Sequence, residues 1–197
     1  VRSHQRGPVL ILERAARHLL PTILEVGRLN TPRFLHLASS IARAVADLHG
    51  ANVIHRGLSP ELLLCDENKR KCYILDLSPA SRLSRMNREI EKSIPMTGNP
   101  GYIAPEQTGR INRSVDHRTD LYSLGIIFYQ MLANRHPFVA HAPAEWAHAH
   151  IARAAPPIDR KDIPPMLLRI VTKLISKNAE DRYQSALGLI EDLDRCS

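Results

Sequence analysis

Apolar side chains recur at helical spacing between Thr31 and His49, at Phe34, Leu37, Ile41, Val45 and Leu48. That period predicts a long helix with one stripe turned to a core. Thr31-Pro32 sets a capping hydroxyl before a proline at the first helical position, and Gly50 supplies the stop. From Thr119 onward Leu121, Leu124, Ile127, Phe128, Met131 and Leu132 run almost all round a second helix, the pattern of a buried one. Pro143 to Arg153, Pro165 to Ser176 and Ser185 to Asp194 read as three more helices, separated by proline-containing connections. Leu167, Ile170, Val171 and Leu174 form the apolar face of the middle one.

The shorter apolar runs read differently. Pro8 to Glu13 predicts a strand, and Arg14 to Val26 a short helix broken by Pro21 and ended by Gly27. Leu62 to Cys65 and Cys72 to Leu75 flank a polar stretch from Asp66 to Lys71, which predicts a hairpin. Ser78 to Gly101 has no period and much charge, so it reads as a long loop, a kind that in compact domains is usually functional or disordered. The fold class is therefore mainly α with a small β-hairpin.

Composition narrows the functions. At 197 residues with 44% hydrophobic content, the chain is long enough for one globular core. The formal net charge of +7 would suit nucleic acid, an anionic membrane or an acidic partner. Aromatic content is only 5% and the arginines are scattered without stacking residues between them, so no nucleic-acid partner is expected. A solvated basic surface is the simpler account. Cys65, Cys72 and Cys196 lack metal-ligand spacing, and an odd number suits a reducing compartment; Cys65 and Cys72 would face each other across the hairpin as buried thiols. No transmembrane segment or cleavable leader is apparent, and a cytoplasmic location is expected. The opening on Val1, in an Arg-rich stretch running straight into an apolar one, suggests a piece of a longer protein.

Five short motifs carry the chemistry. They are Val53-Ile54-His55-Arg56-Gly57-Leu58-Ser59-Pro60-Glu61-Leu62, Asp76-Leu77-Ser78, Ala104-Pro105-Glu106 with Gly98 and Tyr102 before it, Asp120-Leu121-Tyr122-Ser123-Leu124-Gly125, and Glu180-Asp181-Arg182-Tyr183. In this order and spacing they resemble the C-terminal lobe of a Ser/Thr protein kinase, an α+β fold whose small lobe would here be largely missing. Residues 1–197 are then a kinase-like domain fragment, with the last small-lobe strand and hinge at about 8–13 and the C-terminal lobe at about 14–195. The stretches Pro105 to Asp120 and Ala179 to Ala186 are similar to the degenerate N-terminal kinase-like domain of large bacterial multidomain sensor histidine kinases. That likeness implies a place in two-component signalling, with other domains of a larger signalling protein, or a protein partner, as what the chain contacts.

The resemblance also assigns roles. In the family pattern an Asp accepts the substrate hydroxyl's proton and an Asn holds magnesium. Gly57 stands at the Asp position, Leu62 at the Asn position and Ser59 at that of a phosphate-steadying Lys. Neither glycine nor leucine carries a side-chain oxygen, so no catalytic residue is identified. Asp76 is either a retained magnesium ligand or a turn carboxylate bonded to nearby amides. His55 is a general base or, as the resemblance implies, a structural histidine near the Asp76 turn. Arg56 would meet a phosphorylated or acidic residue of the long loop, which offers Ser78, Ser81, Ser84, Ser93 and Thr97, or would remain a solvated charge. Glu106 and Arg182 would form a partly buried ion pair, and Asp120 would cap the catalytic loop. Ser59 beside His55 suggests a nucleophile and base, but no orienting acid follows.

Three functions are therefore open. One is a catalytically impaired pseudokinase acting as a binding or relay domain. Another is an active Ser/Thr kinase using ATP and magnesium, with Glu61 or Asp66 in a substituted role. The last is a basic interaction domain unrelated to nucleotides. Leu12, Leu62, Leu64 and Leu75 are expected on the apolar face that a small lobe would cover.

Overall fold

The computed structural model describes residues 18–82 and 98–196. The strand expected over Pro8 to Glu13, with Leu12, lies outside them, as does the 83–97 part of the loop expected over Ser78 to Gly101, with Ser84, Ser93 and Thr97.

The segment expected as a helix from Arg14 is, where described, a two-residue strand β1 (His18–Leu19) followed by the short helix α1 (Leu20–Glu25). Pro21 sits in the first turn, where its missing N–H has no helical acceptor to lose, so it starts α1 and does not break it. Helix α2 (Thr31–Gly50) is the long amphipathic helix. Its cap is Asn30, whose Oδ1 accepts the Arg33 N–H at 3.0 Å, while Thr31 is already helical. Gly50 stays in the helix too; the left-handed residue that ends it is Asn52, at φ 58°. Asn tolerates that region better than most residues, which lets the helix run past the glycine.

Strand β2 (Val53–Ile54) leads into the loop of interest, and a 3-10 turn (Pro60–Leu62) leads out of it. The hairpin β3 (Leu63–Asp66) and β4 (Lys71–Ile74) follows, with Cys65 opposite Cys72 and β1 on the outer edge of β3. Leu62 thus belongs to the turn and not to a strand, although its carbonyl still accepts the Leu75 N–H at 2.9 Å. The expected featureless loop contains β5 (Ser81–Arg82), antiparallel to β2.

Helix α3 (Arg118–Ala133) forms the centre, buried on every side from Thr119 to Tyr129. Phe128 meets Phe34 of α2 edge-on at 5.7 Å between ring centroids. Helices α4 (Pro143–Ala152), α5 (Pro165–Leu174) and α6 (Ala186–Asp194) complete the lobe, α5 against α3 and α6 against α2. A Cβ on Gly125 would stand 2.6 Å from Leu174 Cβ, so the α3–α5 approach requires glycine there. The result is mainly helical with two small antiparallel sheets, and the loops at the C-terminal end of α2 and the N-terminal end of α3 meet at one place. No helix among the described residues is long and apolar enough to cross a membrane.

Candidate functional site

Asp120, in the first turn of α3, organises the loop after β2. Fully buried, it accepts the His55 N–H on Oδ2 and the Arg56 N–H on Oδ1, each at 2.8 Å, and His49 Nε2 lies 2.9 Å from Oδ2. A carboxylate holding two successive amides forces a sharp bend, and Arg56 takes it at φ 67°. His55 is buried and both its ring nitrogens are engaged. Nδ1 accepts the Gly57 N–H at 3.2 Å, so the proton resides on Nε2, which donates to the Asp76 carbonyl at 2.6 Å. No lone pair is left to activate Ser59, which is itself buried. The Arg56 carbonyl accepts from Gln107 Nε2, whose other end takes the Ala104 N–H at 2.9 Å. The Arg56 side chain is buried, with Nε unpartnered among the described residues.

Gly57 lies against the Ser78-Pro79 turn and Gly98. A Cβ built on Gly57 would stand 3.0 Å from Pro79 Cγ, 3.1 Å from Pro79 Cβ and 3.5 Å from Gly98 Cα. A Cβ on Gly98, at φ 90°, would reach 2.9 Å from Gly57 Cα. The close approach of the two backbones requires glycine at position 98, whereas a Cβ at position 57 would meet Gly98 at ordinary contact and press chiefly on the Pro79 ring.

Asp76 faces solvent. Its Oδ1 accepts both the Ser78 N–H, at 2.8 Å, and the Ser78 hydroxyl, at 2.5 Å, and these bonds hold its carboxyl below the usual range. It is an ionised turn carboxylate at neutral pH. Leu62 is half-buried and offers only hydrocarbon. Glu61 is exposed, whereas Asp66 is buried and spends Oδ1 on the Lys69 N–H at the hairpin turn. As a donor set for magnesium nucleotide Asp76 and Leu62 fit poorly: the carboxylate is already engaged by Ser78, and leucine offers no oxygen.

The segment after Gly98 is tied down by charge. Arg182 and Glu106 are both buried and pair in two parallel bonds, Nη1–Oε1 at 2.7 Å and Nη2–Oε2 at 2.9 Å. The remaining guanidinium hydrogens go to the carbonyls of Ser176, Arg118 and Lys177, at 2.8, 3.2 and 3.1 Å, so every donor of the fork is used. Thr119 Oγ1 donates to Glu106 Oε1 at 2.9 Å, and the guanidinium lies 4.8 Å from the centre of the Tyr122 ring. Tyr122 in turn donates to His150 Nδ1, 3.0 Å away, whose Nε2 faces the Pro100 carbonyl. Burial first, then the nearby Lys177 charge, lowers His150 to about 3; burial and Arg182 lower Lys177 to about 8.

The structure brings His55, Arg56, Gly57, Asp120 and the Asp76 turn together, and joins Glu106 to Arg182. Reading the sequence missed Pro79, Gln107, His49 and the His150–Tyr122–Lys177 cluster, which meet their partners across long stretches of chain. Gly98 was named with the Ala104-Pro105-Glu106 motif, but not its contact with Gly57.

This lobe, with its aspartate-held loop and its Glu–Arg anchor, is of the protein-kinase type. The protein kinase domain family matches residues 3–191, and the chain belongs to it. A probable serine/threonine-protein kinase of Clostridium acetobutylicum is 32% identical over 182 residues, covering 91% of the chain and 27% of that protein. The serine/threonine-protein kinase PknB of Mycolicibacterium smegmatis is 27% identical, over 95% of the chain and 30% of its own length. Hybrid signal transduction histidine kinase G of Dictyostelium discoideum is 43% identical over 113 residues, 54% of the chain and 3% of that protein. The chain therefore spans a third or less of each of these relatives.

Proposed function

We propose that this is a kinase-like signalling module that does not transfer phosphate and serves as a binding or relay domain within a larger signal-transduction protein. The observation that carries the reading is the closure at Gly57. The position that resembles the family's base has no side chain, and one placed there would start 3.0 Å from Pro79 Cγ, closer than ordinary contact. Leu62 in place of a metal-binding amide adds to it. The C-terminal lobe is assigned to about 14–195, with the hinge and last small-lobe strand at about 8–13. His55, Arg56, Asp120, Glu106 and Arg182 are assigned to the scaffold, which holds a surface for other domains to read. The likeness to a hybrid histidine kinase, higher in identity than to the Ser/Thr kinases but over a shorter segment, favours a place among two-component sensors.

The test is nucleotide binding by the full-length parent protein, measured by calorimetry with ATP and magnesium. No heat of binding is the expected result, and micromolar magnesium-dependent affinity would overturn the proposal.

One observation keeps a second reading alive: Asp76 is ionised, exposed and retains an oxygen outside the Ser78 bonds. An active kinase built on Asp76 and Glu61 would incorporate radiolabelled phosphate and lose that incorporation in Asp76→Ala. Asp66, committed to the hairpin turn, is a poor substitute in such a site.

A further inference from the structure

We propose that Cys65 and Cys72 form a dithiol site that a small peroxide oxidises to an intrachain disulfide. The register provides the first argument. Cys65 lies directly opposite Cys72, and the Leu75 N–H to Leu62 carbonyl bond marks the pair three steps away as a hydrogen-bonded one. Pairs alternate along an antiparallel ladder, so Cys65 and Cys72 occupy a non-hydrogen-bonded position, where the Cα atoms approach to about 4.5 Å. That lies at the near edge of the ~4.4–6.8 Å span a disulfide bridges. The thiols already touch, with Sγ atoms 3.7 Å apart.

Access is the second argument. A cavity of about 700 Å³ between α2, β4 and α6 has Cys72 in its wall, with Leu48, Ile74, Leu187 and Ile190, while Cys65 does not line it and is the more deeply buried of the two. The two thiols are therefore unequal: Cys72 is reached first and Cys65 resolves. The Cys72 sulfur attacks one peroxide oxygen, the O–O bond breaks, and a sulfenic acid and water form. Cys65 sulfur then attacks Cys72 sulfur, expelling the hydroxyl as a second water. The thiols lose two electrons and two protons, and hydrogen peroxide takes up both. The hydrogen bond with Cys65, and then burial, push the Cys72 thiol up, so closure is slow at neutral pH and accelerates about tenfold per unit as pH rises, following the thiolate.

The experiment treats the native protein with millimolar hydrogen peroxide, blocks remaining thiols with N-ethylmaleimide, digests with trypsin and analyses the peptides by mass spectrometry without reduction. Lys69, Arg70 and Lys71 lie between the two cysteines, so cleavage separates their peptides unless sulfur joins them. The expected result is a linked Cys65–Cys72 pair that falls apart on reduction, forms faster at pH 8 than at pH 7, and persists in Cys196→Ser. Recovery of both peptides separately with maleimide attached, or a link that forms only after the chain is unfolded in urea, would overturn the proposal.

Discussion

Gly57 and Arg182 meet opposite ends of the stretch from Gly98 to Glu106, and the protein treats them in opposite ways. At Arg182 every guanidinium hydrogen has an acceptor and the partner carboxylate is held in two parallel bonds. At Gly57 no side chain exists, and Pro79 lies close enough to crowd one. A buried ion pair is retained only where its geometry is good, because breaking it strands a charge in a poor solvent. Gly57 carries no such constraint, since a glycine packed against Pro79 leaves no charge to be answered.

The largest expected effect is at the anchor. Arg182→Met strands the Glu106 carboxylate and should cost about 3–5 kcal/mol in urea unfolding, with Glu106→Gln recovering part of that loss in the double variant. A cost below about 1 kcal/mol would remove the contrast between the two regions.

Next is a pH effect in the same half. His150 has its pKa held at about 3 in the folded protein against 6.5 in an unfolded chain. The unfolded chain therefore takes the proton first. This contribution is complete above pH 6.5 and is lost progressively as pH falls toward 3, amounting to roughly 3 kcal/mol at pH 4. Unfolding in urea at pH 7 and pH 4 measures it, and His150→Gln should flatten the acid limb.

The smallest effect is at Gly57. Gly57→Asp introduces the residue type that the kinase resemblance implies there, but its Cβ must push Pro79 aside and should destabilise by about 1–3 kcal/mol without producing phosphate incorporation. Activity in that variant would mean that the space reopens at little cost.

Helices were legible because their signals are local. The stripe from Phe34 to Val45 and the all-round apolar pattern of α3 need only a period and a sufficient length. Boundaries were less so: Asn30 and Asn52, not Thr31 and Gly50, end α2, since several residues compete for each terminus and the surrounding packing selects among them. The pairing of Ser81–Arg82 with Val53–Ile54 was invisible, because a two-residue strand has no period to detect. In the site, the residue types at Gly57 and Leu62 are plain from the motif, but the contact between Gly57 and Gly98 joins backbones 41 positions apart.

What the sequence determined by itself is the helical lobe, the hairpin with its facing cysteines, and the absence of side-chain oxygens at Gly57 and Leu62. These follow from residue identity and near-neighbour spacing. Tertiary structure alone decided that Arg182 would have all its hydrogens answered, that His55 would spend both nitrogens on backbone, and that Pro79 and Gly98 would lie against Gly57. Each depends on groups distant in sequence arriving within a few tenths of an ångström, which close packing enforces and composition does not encode.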